Sequence, residues 1–291
     1  MDFLKSIIMG FIQGVAEFLP VSSSGHLAIM KHILHITTDT GLLFDVLLHL
    51  GTLVAIFIAF WQDIKELIVE GFQIIGDCFV NVTRLIKNLT AKKKVAYKKI
   101  IATPYRRFVI LIIVSTIPTA IIGIVFKNAF EIAGETLLVP GLCLILTGIL
   151  LTIADRVKTG KKTEENASFK DAGLIGVAQG IAILPGLSRS GTTITACLLS
   201  GFDRSYAVKY SFIMSIPAVL GAAVLELKDL SLGLIDKSLL INYFAGTVVA
   251  GVVGYICIKT MLVIVKGKKF KYFSYYCFAI GIIAVISHFF I

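Results

Sequence analysis

The sequence predicts an all-α polytopic membrane protein: an inverted-topology repeat of six transmembrane helices plus two re-entrant helical hairpins. Three observations predict it. The 291-residue chain is 57% hydrophobic and only 16% charged, with a mean hydropathy of +0.90, a composition that soluble domains rarely show. One segment occurs twice: Gln13-Gly14-Val15-Ala16-Glu17-Phe18-Leu19-Pro20-Val21-Ser22-Ser23-Ser24-Gly25-His26 aligns without a gap on Gln179 to Thr192, at an offset of 166 with six of fourteen positions identical. The basic residues gather in three loops, so the positive-inside tendency assigns those loops to one side.

Taken in order, residues 5–36 hold two short apolar stretches broken at Pro20 and the serines. Neither half can cross a core of about 30 Å at about 1.5 Å per residue. The reading is a hairpin of two half-helices that meet near mid-depth, where irregular backbone is tolerated only if protein or water satisfies it. Residues 44–61 form the first full span. Residues 62–83 mix Asp63, Lys65, Glu66 and Glu70 with apolar positions and read as an interfacial cytoplasmic helix. Residues 84–107 carry nine basic residues and no acid. Spans follow at 108–126 and 136–153. Residues 156–170 add five basic residues and two acids. The second broken region, 171–201, precedes spans at 206–225 and 241–265. Lys266, Lys268, Lys269 and Lys271 separate these from a last span at 272–291.

The three basic loops share the cytoplasmic side only if 171–201 returns to the side it left. Each half then reads hairpin, span, span, span. Three crossings per half place the second copy upside down relative to the first, with a site expected near the midplane between the repeats. The division is 1–154 for the first repeat, with a basic cytoplasmic insert at 62–107, and 171–291 for the second, in a single membrane domain. Eight plain spans is the alternative.

The net charge of +10 reflects these loops and not a nucleic-acid surface. The five cysteines are scattered without a CxxC pair and read as small core residues. Asn81-Val-Thr83 and Asn88-Leu-Thr90 match the glycosylation pattern by chance beside a basic loop. The N-terminal residues lack the pattern of a cleaved signal.

The chemistry concentrates in the two breaks. Gln13 and Glu17 are four apart and share a helix face. A carboxylate at membrane depth costs about 2.5–3.5 kcal/mol on insertion scales, which argues for a function; the alternative is a structural partner for Arg189 or for exposed backbone N–H groups. Ser22, Ser23 and Ser24 can cap the following half-helix, but three exceed what a cap requires, and His26 adds a group titrating near neutrality. In the second copy Arg189 replaces Ser23 and Ile183 replaces Glu17. Ser188, Ser190, Thr192 and Thr193 supply hydroxyls there. A fixed cation at a helix N-terminus suits phosphate. Cation, carboxylate, hydroxyls and imidazole inside a membrane point to phosphoryl chemistry on a lipid. A lipid-phosphate transporter or flippase is the rival, because inverted repeats with broken helices also build transporters.

Gln13-x-x-x-Glu17 running into Phe18-Leu19-Pro20-Val21-Ser22-Ser23-Ser24-Gly25-His26, with Pro185-Gly186-Leu187-Ser188-Arg189-Ser190-Gly191-Thr192-Thr193, resembles the bacterial undecaprenyl pyrophosphate phosphatases, or bacitracin-resistance proteins. The hydrophobic layout agrees over the whole chain. The resemblance implies an integral plasma-membrane enzyme, homodimeric in form, that uses a divalent cation to remove one phosphate from a C55 lipid pyrophosphate. It implies that Arg189 and nearby N–H groups hold the pyrophosphate, with Ser22, Ser24, Ser188, Ser190 and Thr192 around it. Gln13 and Glu17 would hold Mg2+ or Ca2+, or Glu17 would orient water. Ser23 is the candidate nucleophile and His26 its acid/base partner, with direct attack by His26 or water left open. Arg204 is either a second phosphate contact or a loop cation beside Asp203. Gln13 stands at a position where the family's motif has Glu or Gln, which leaves Glu17 as the only carboxylate in it. Ser24 stands where some members have Thr.

Overall fold

The computed structural model describes residues 2–36, 41–90, 94–228 and 237–290. Among them the ordered elements are twelve helices: α1 Phe3–Phe18, α2 Ser23–Ile33, α3 Gly41–Ala59, α4 Trp61–Thr90, α5 Pro104–Val125, α6 Lys127–Gly134, α7 Leu138–Arg156, α8 Phe169–Ile181, α9 Arg189–Leu199, α10 Arg204–Lys228, α11 Lys237–Lys266 and α12 Phe270–His288. Five of these (α5, α7, α10, α11 and α12) are long and apolar enough to span a membrane, and α3 joined to α4 makes a sixth candidate bent by 89°. The chain is a polytopic helical membrane protein.

The two breaks fall where the sequence puts them. α1 has 16 residues and α2 has 11, about 24 and 16 Å long, so neither crosses a bilayer core alone. α8 and α9, with 13 and 11 residues, repeat the pattern, and in each pair the two halves pack on each other.

Small residues set the helix crossings. Gly10 and Gly14 of α1 lie against the α11 backbone at Gly246 and Ala250. Their equivalents at the 166-residue offset, Gly176 and Gly180 of α8, lie against Ser115 and Ile122 of α5. α1 packs along α11 and α8 along α5, while α7 packs along α12, the last pair crossing at Gly141 and Gly281. In a membrane, where apolar burial between helices gains little, close backbone approach through small residues is the main source of association. Polar groups add to it: Thr119 Oγ1 donates to Gly176 O at 2.8 Å, and Ser274 Oγ to Gly148 O at 2.7 Å.

The interfacial helix expected at 62–83 continues to Thr90, because its polar face has partners further on. Asn81 and Asn88, two turns apart, each make a two-way hydrogen bond with the backbone of a returning segment, at Lys98 and Val95, with distances of 2.7–2.9 Å. The asparagines of both apparent glycosylation matches therefore hold this segment against α4. Arg106 then bridges Glu70, Asp77 and Gln73. Hydrogen bonding holds Glu70 (from Arg106) and Asp77 (from Lys98, then Arg106) below the usual carboxylate range. The opposite face of α4, with Ile68, Phe72, Ile75, Phe79, Val82 and Ile86, is exposed.

Candidate active site

The tips of the two broken helices touch. A Cβ on Gly191 would lie 3.2 Å from Pro20, and one on Gly25 would lie 3.7 Å from Gly186. Gly186 N lies 3.5 Å from Ser24 Oγ. Gly186 has φ +86° and sits against the Pro140 backbone, so only glycine fits that turn without strain. α2 begins at Ser23 and α9 at Arg189, the two aligned positions. Both helix N-termini, with their partial positive charge, therefore open on the same place.

Glu17 is the hub. It is only 6% exposed and pairs with Arg189 Nη2 through Oε1. Its Oε2 accepts Ser23 Oγ at 2.8 Å and Gln13 Nε2 at 3.0 Å. The structure thus forms the ion pair named above as the structural alternative for Glu17, and also gives the carboxylate a hydroxyl proton to accept. Gln13 Nε2 lies 2.9 Å from His49 Nδ1, which is 3.6 Å from Glu17 Oε2. His49, on α3, was not picked out from the sequence. Its signal was a histidine one helical turn after Asp45 inside an apolar run.

Three polar atoms at the tips are buried without a hydrogen-bond partner among the described residues: Arg189 Nη1, Gln13 Oε1 and Thr192 Oγ1. Unspent donors and acceptors at such depth are costly to leave unmade, and Arg189 Nη1 suits a phosphate oxygen. Ser188 caps α9, accepting Gly191 N at 3.1 Å, and its own N–H donates to Thr147 Oγ1 at 3.0 Å. Ser188 Oγ lies 3.3 Å from Ser190 Oγ, and both residues are buried. Ser22 Oγ plays the equivalent capping role, 3.4 Å from Gly25 N and 3.3 Å from Ser24 Oγ. Ser22 has φ +72°, a left-handed conformation that costs a non-glycine residue about 1–3 kcal/mol.

Two expected site residues have other partners. His26 and Ser23 are not hydrogen-bonded to each other: His26 Nδ1 is 2.8 Å from Ser22 O and Nε2 is 2.5 Å from Tyr276 OH, while Ser23 turns to Glu17. Arg204 does not pair with Asp203 and turns to helix-end carbonyls. It is 3% exposed and donates to the carbonyls of Ala154, Val157 and Val265, at 2.8–3.3 Å. Asp203 instead caps α10 through the Ser205 and Tyr206 N–H groups.

A divalent cation has limited purchase on these side chains. Among the described residues no three His, Cys, Asp or Glu groups converge, and Glu17 is already shared by three donors. The unpartnered Gln13 Oε1 beside Glu17 is nevertheless an oxygen donor. One carboxylate and one amide oxygen fit a hard ion that takes most of its ligands from phosphate and water, as Mg2+ does.

The family model described as bacitracin resistance protein BacA matches residues 6–283. An undecaprenyl-diphosphatase of Methanosphaera stadtmanae is 42% identical over 286 residues, 98% of each chain. One of Alkaliphilus metalliredigens is 40% identical over 287 residues, again 98% of each. Undecaprenyl-diphosphatase 4 of Bacillus thuringiensis is 35% identical over 285 residues, 98% of this chain and 97% of that one.

Proposed function

This chain belongs to the bacitracin resistance protein BacA family, and on that premise we propose that it hydrolyses undecaprenyl pyrophosphate to undecaprenyl phosphate and inorganic phosphate. It is a membrane phosphatase that returns the lipid carrier to cell-wall synthesis, and its activity opposes bacitracin. The observation that carries the chemistry is the convergence of Ser23 and Arg189 on the single carboxylate of Glu17.

In this reading the pyrophosphate displaces Glu17 as the counter-ion of Arg189. Arg189 Nη1 and the N-termini of α2 and α9 hold its oxygens, with Ser24, Ser188, Ser190 and Thr192 around them. Glu17 Oε1 is then released from Arg189, while Oε2 stays in contact with Ser23 Oγ. Ser23 Oγ attacks the terminal phosphorus while Glu17 takes its proton. The new O–P bond forms, the bond from phosphorus to the bridging oxygen breaks, and that oxygen leaves with the electron pair on undecaprenyl phosphate, receiving the proton from Glu17. Water then attacks the phosphoserine. Glu17 takes a proton from the water, the Ser23 O–P bond breaks, and Ser23 Oγ recovers the proton as inorganic phosphate departs. Gln13 and Glu17 would hold Mg2+ or Ca2+, which when bound supplies charge neutralisation at the phosphate oxygens.

The reading extends to the architecture. Residues 1–154 and 171–291 form two inverted repeats, which the exchange of α1–α11 contacts for α8–α5 contacts supports. The apolar face of α4 rests on the cytoplasmic membrane surface, and the protein is a homodimer, as the resemblance implies. Purified protein given undecaprenyl pyrophosphate and Mg2+ should release inorganic phosphate. Absence of release, with transfer of the intact lipid across a bilayer, would overturn the phosphatase in favour of a transporter.

A further inference from the structure

His26 has no nitrogen left for proton transfer to Ser23. Ser22 O is an acceptor only, so Nδ1 carries the hydrogen at 2.8 Å. In the neutral ring Nε2 is then an acceptor, and the Tyr276 hydroxyl donates to it at 2.5 Å. The two rings are stacked, with centroids 5.6 Å apart. The carbonyl held by this ring belongs to the peptide that joins Ser22 to Ser23.

The second copy provides an internal comparison. Ser188 occupies the position of Ser22 and caps its helix in the same way, yet its φ is −71° whereas that of Ser22 is +72°. Position 192, equivalent to 26, is Thr and makes no such contact; its hydroxyl has no partner among the described residues. The left-handed cap thus occurs in the copy that has the imidazole. In that copy alone the next side chain is a serine aimed at Glu17.

We infer that His26 is a positioning residue: clamped between Tyr276 and the Ser22 carbonyl, it holds the Ser22–Ser23 peptide in the rotation that places Ser23 Oγ on Glu17. Tyr276 is the second member of the device, and through it the last helix, α12, braces the break between α1 and α2. The inference rests on Ser23 as the nucleophile. It assigns the proton chemistry to Glu17 and gives the imidazole a mechanical role. Misplacing a reacting group by about 1 Å can lower turnover about 100-fold.

The test exploits the fact that asparagine can donate from its Nδ2 to the Ser22 carbonyl but cannot act as an acid or base near neutral pH. Phosphate release by the purified full-length protein is measured for His26→Ala, His26→Asn, Tyr276→Phe, Ser23→Ala and the double variant His26→Ala/Tyr276→Phe. We expect His26→Ala to lower kcat by about 30-fold or more and His26→Asn to recover it to within about fivefold of the parent, with KM little changed. The pH profile of kcat for His26→Asn should keep the parent's limbs. Tyr276→Phe should lower kcat about three- to tenfold alone and add nothing in the His26→Ala background, as coupled partners do. An asparagine variant as inactive as the alanine one, loss of a limb from its pH profile, or full additivity of the two changes overturns the positioning role and leaves the phosphatase reading intact. Activity retained in Ser23→Ala overturns the nucleophile on which both rest.

Discussion

The Arg189 guanidinium is ion-paired with the Glu17 carboxylate across the touching tips of two helices, although the residues lie 172 positions apart in the chain. Each compensates the other's charge where Glu17 is buried and Arg189 partly so. Arg189→Ala should therefore lose phosphate binding and leave Glu17 uncompensated, lowering kcat/KM by about 1,000-fold. Arg189→Lys should rescue little, because an ammonium point charge lacks the planar fork that grips two phosphate oxygens. Glu17→Gln should lower kcat by a similar factor with a smaller change in KM. Steady-state phosphate release on membrane-inserted, purified variants checks all three, and near-parental turnover in Glu17→Gln would remove it as the base.

If Ser23 is the nucleophile, a phosphoserine exists in every cycle. Acid quenching during turnover should trap a phosphate on the peptide containing Ser23, read by mass spectrometry, and Ser23→Ala should give neither adduct nor turnover. Ser22→Ala should be milder, by about 10- to 100-fold relative to Ser23→Ala, because it removes a cap and not the attacking oxygen.

Arg204 is expected to affect stability and not chemistry. It is the shared donor to three carbonyls from the ends of α7 and α11, so Arg204→Ala strands buried acceptors at a cost of about 1–3 kcal/mol. Thermal unfolding in detergent should shift downward, while KM of the folded fraction stays at the parent value. A raised KM would restore Arg204 as a substrate contact.

The segment 94–101 should detach from α4 in acid. Glu70 and Asp77 are held below their ordinary pKa by hydrogen bonds from Arg106 and Lys98. A carboxylate depressed in the folded state stabilises above its unfolded value and loses that contribution as pH falls through the folded one. The docking is thus complete at neutrality and fades below about pH 4, the ordinary carboxylate range. Hydrogen exchange of the Val95 and Lys98 amides should report it: protection at pH 7, loss under acid, and loss at both pH values in an Asn81→Ala/Asn88→Ala variant.

By itself the sequence determined the class, the spans and the two breaks. Apolar length is a one-dimensional quantity, and proline, glycine and serine act on the backbone where they stand; Pro20 and Pro185 ended their half-helices at the expected places. It also named Glu17, Ser23 and Arg189, because charge and hydroxyls inside an apolar run are costly wherever the chain later folds. Only the tertiary structure decided the direction in which each side chain looks. His26 turns to Tyr276, which lies 250 positions away; Arg204 turns to helix ends; and His49 enters from α3. Which helix packs on which face is set by small-residue contacts such as Gly10 with Gly246 and Gly176 with Ser115. Such contacts depend on the mutual fit of two surfaces, which neither segment encodes alone.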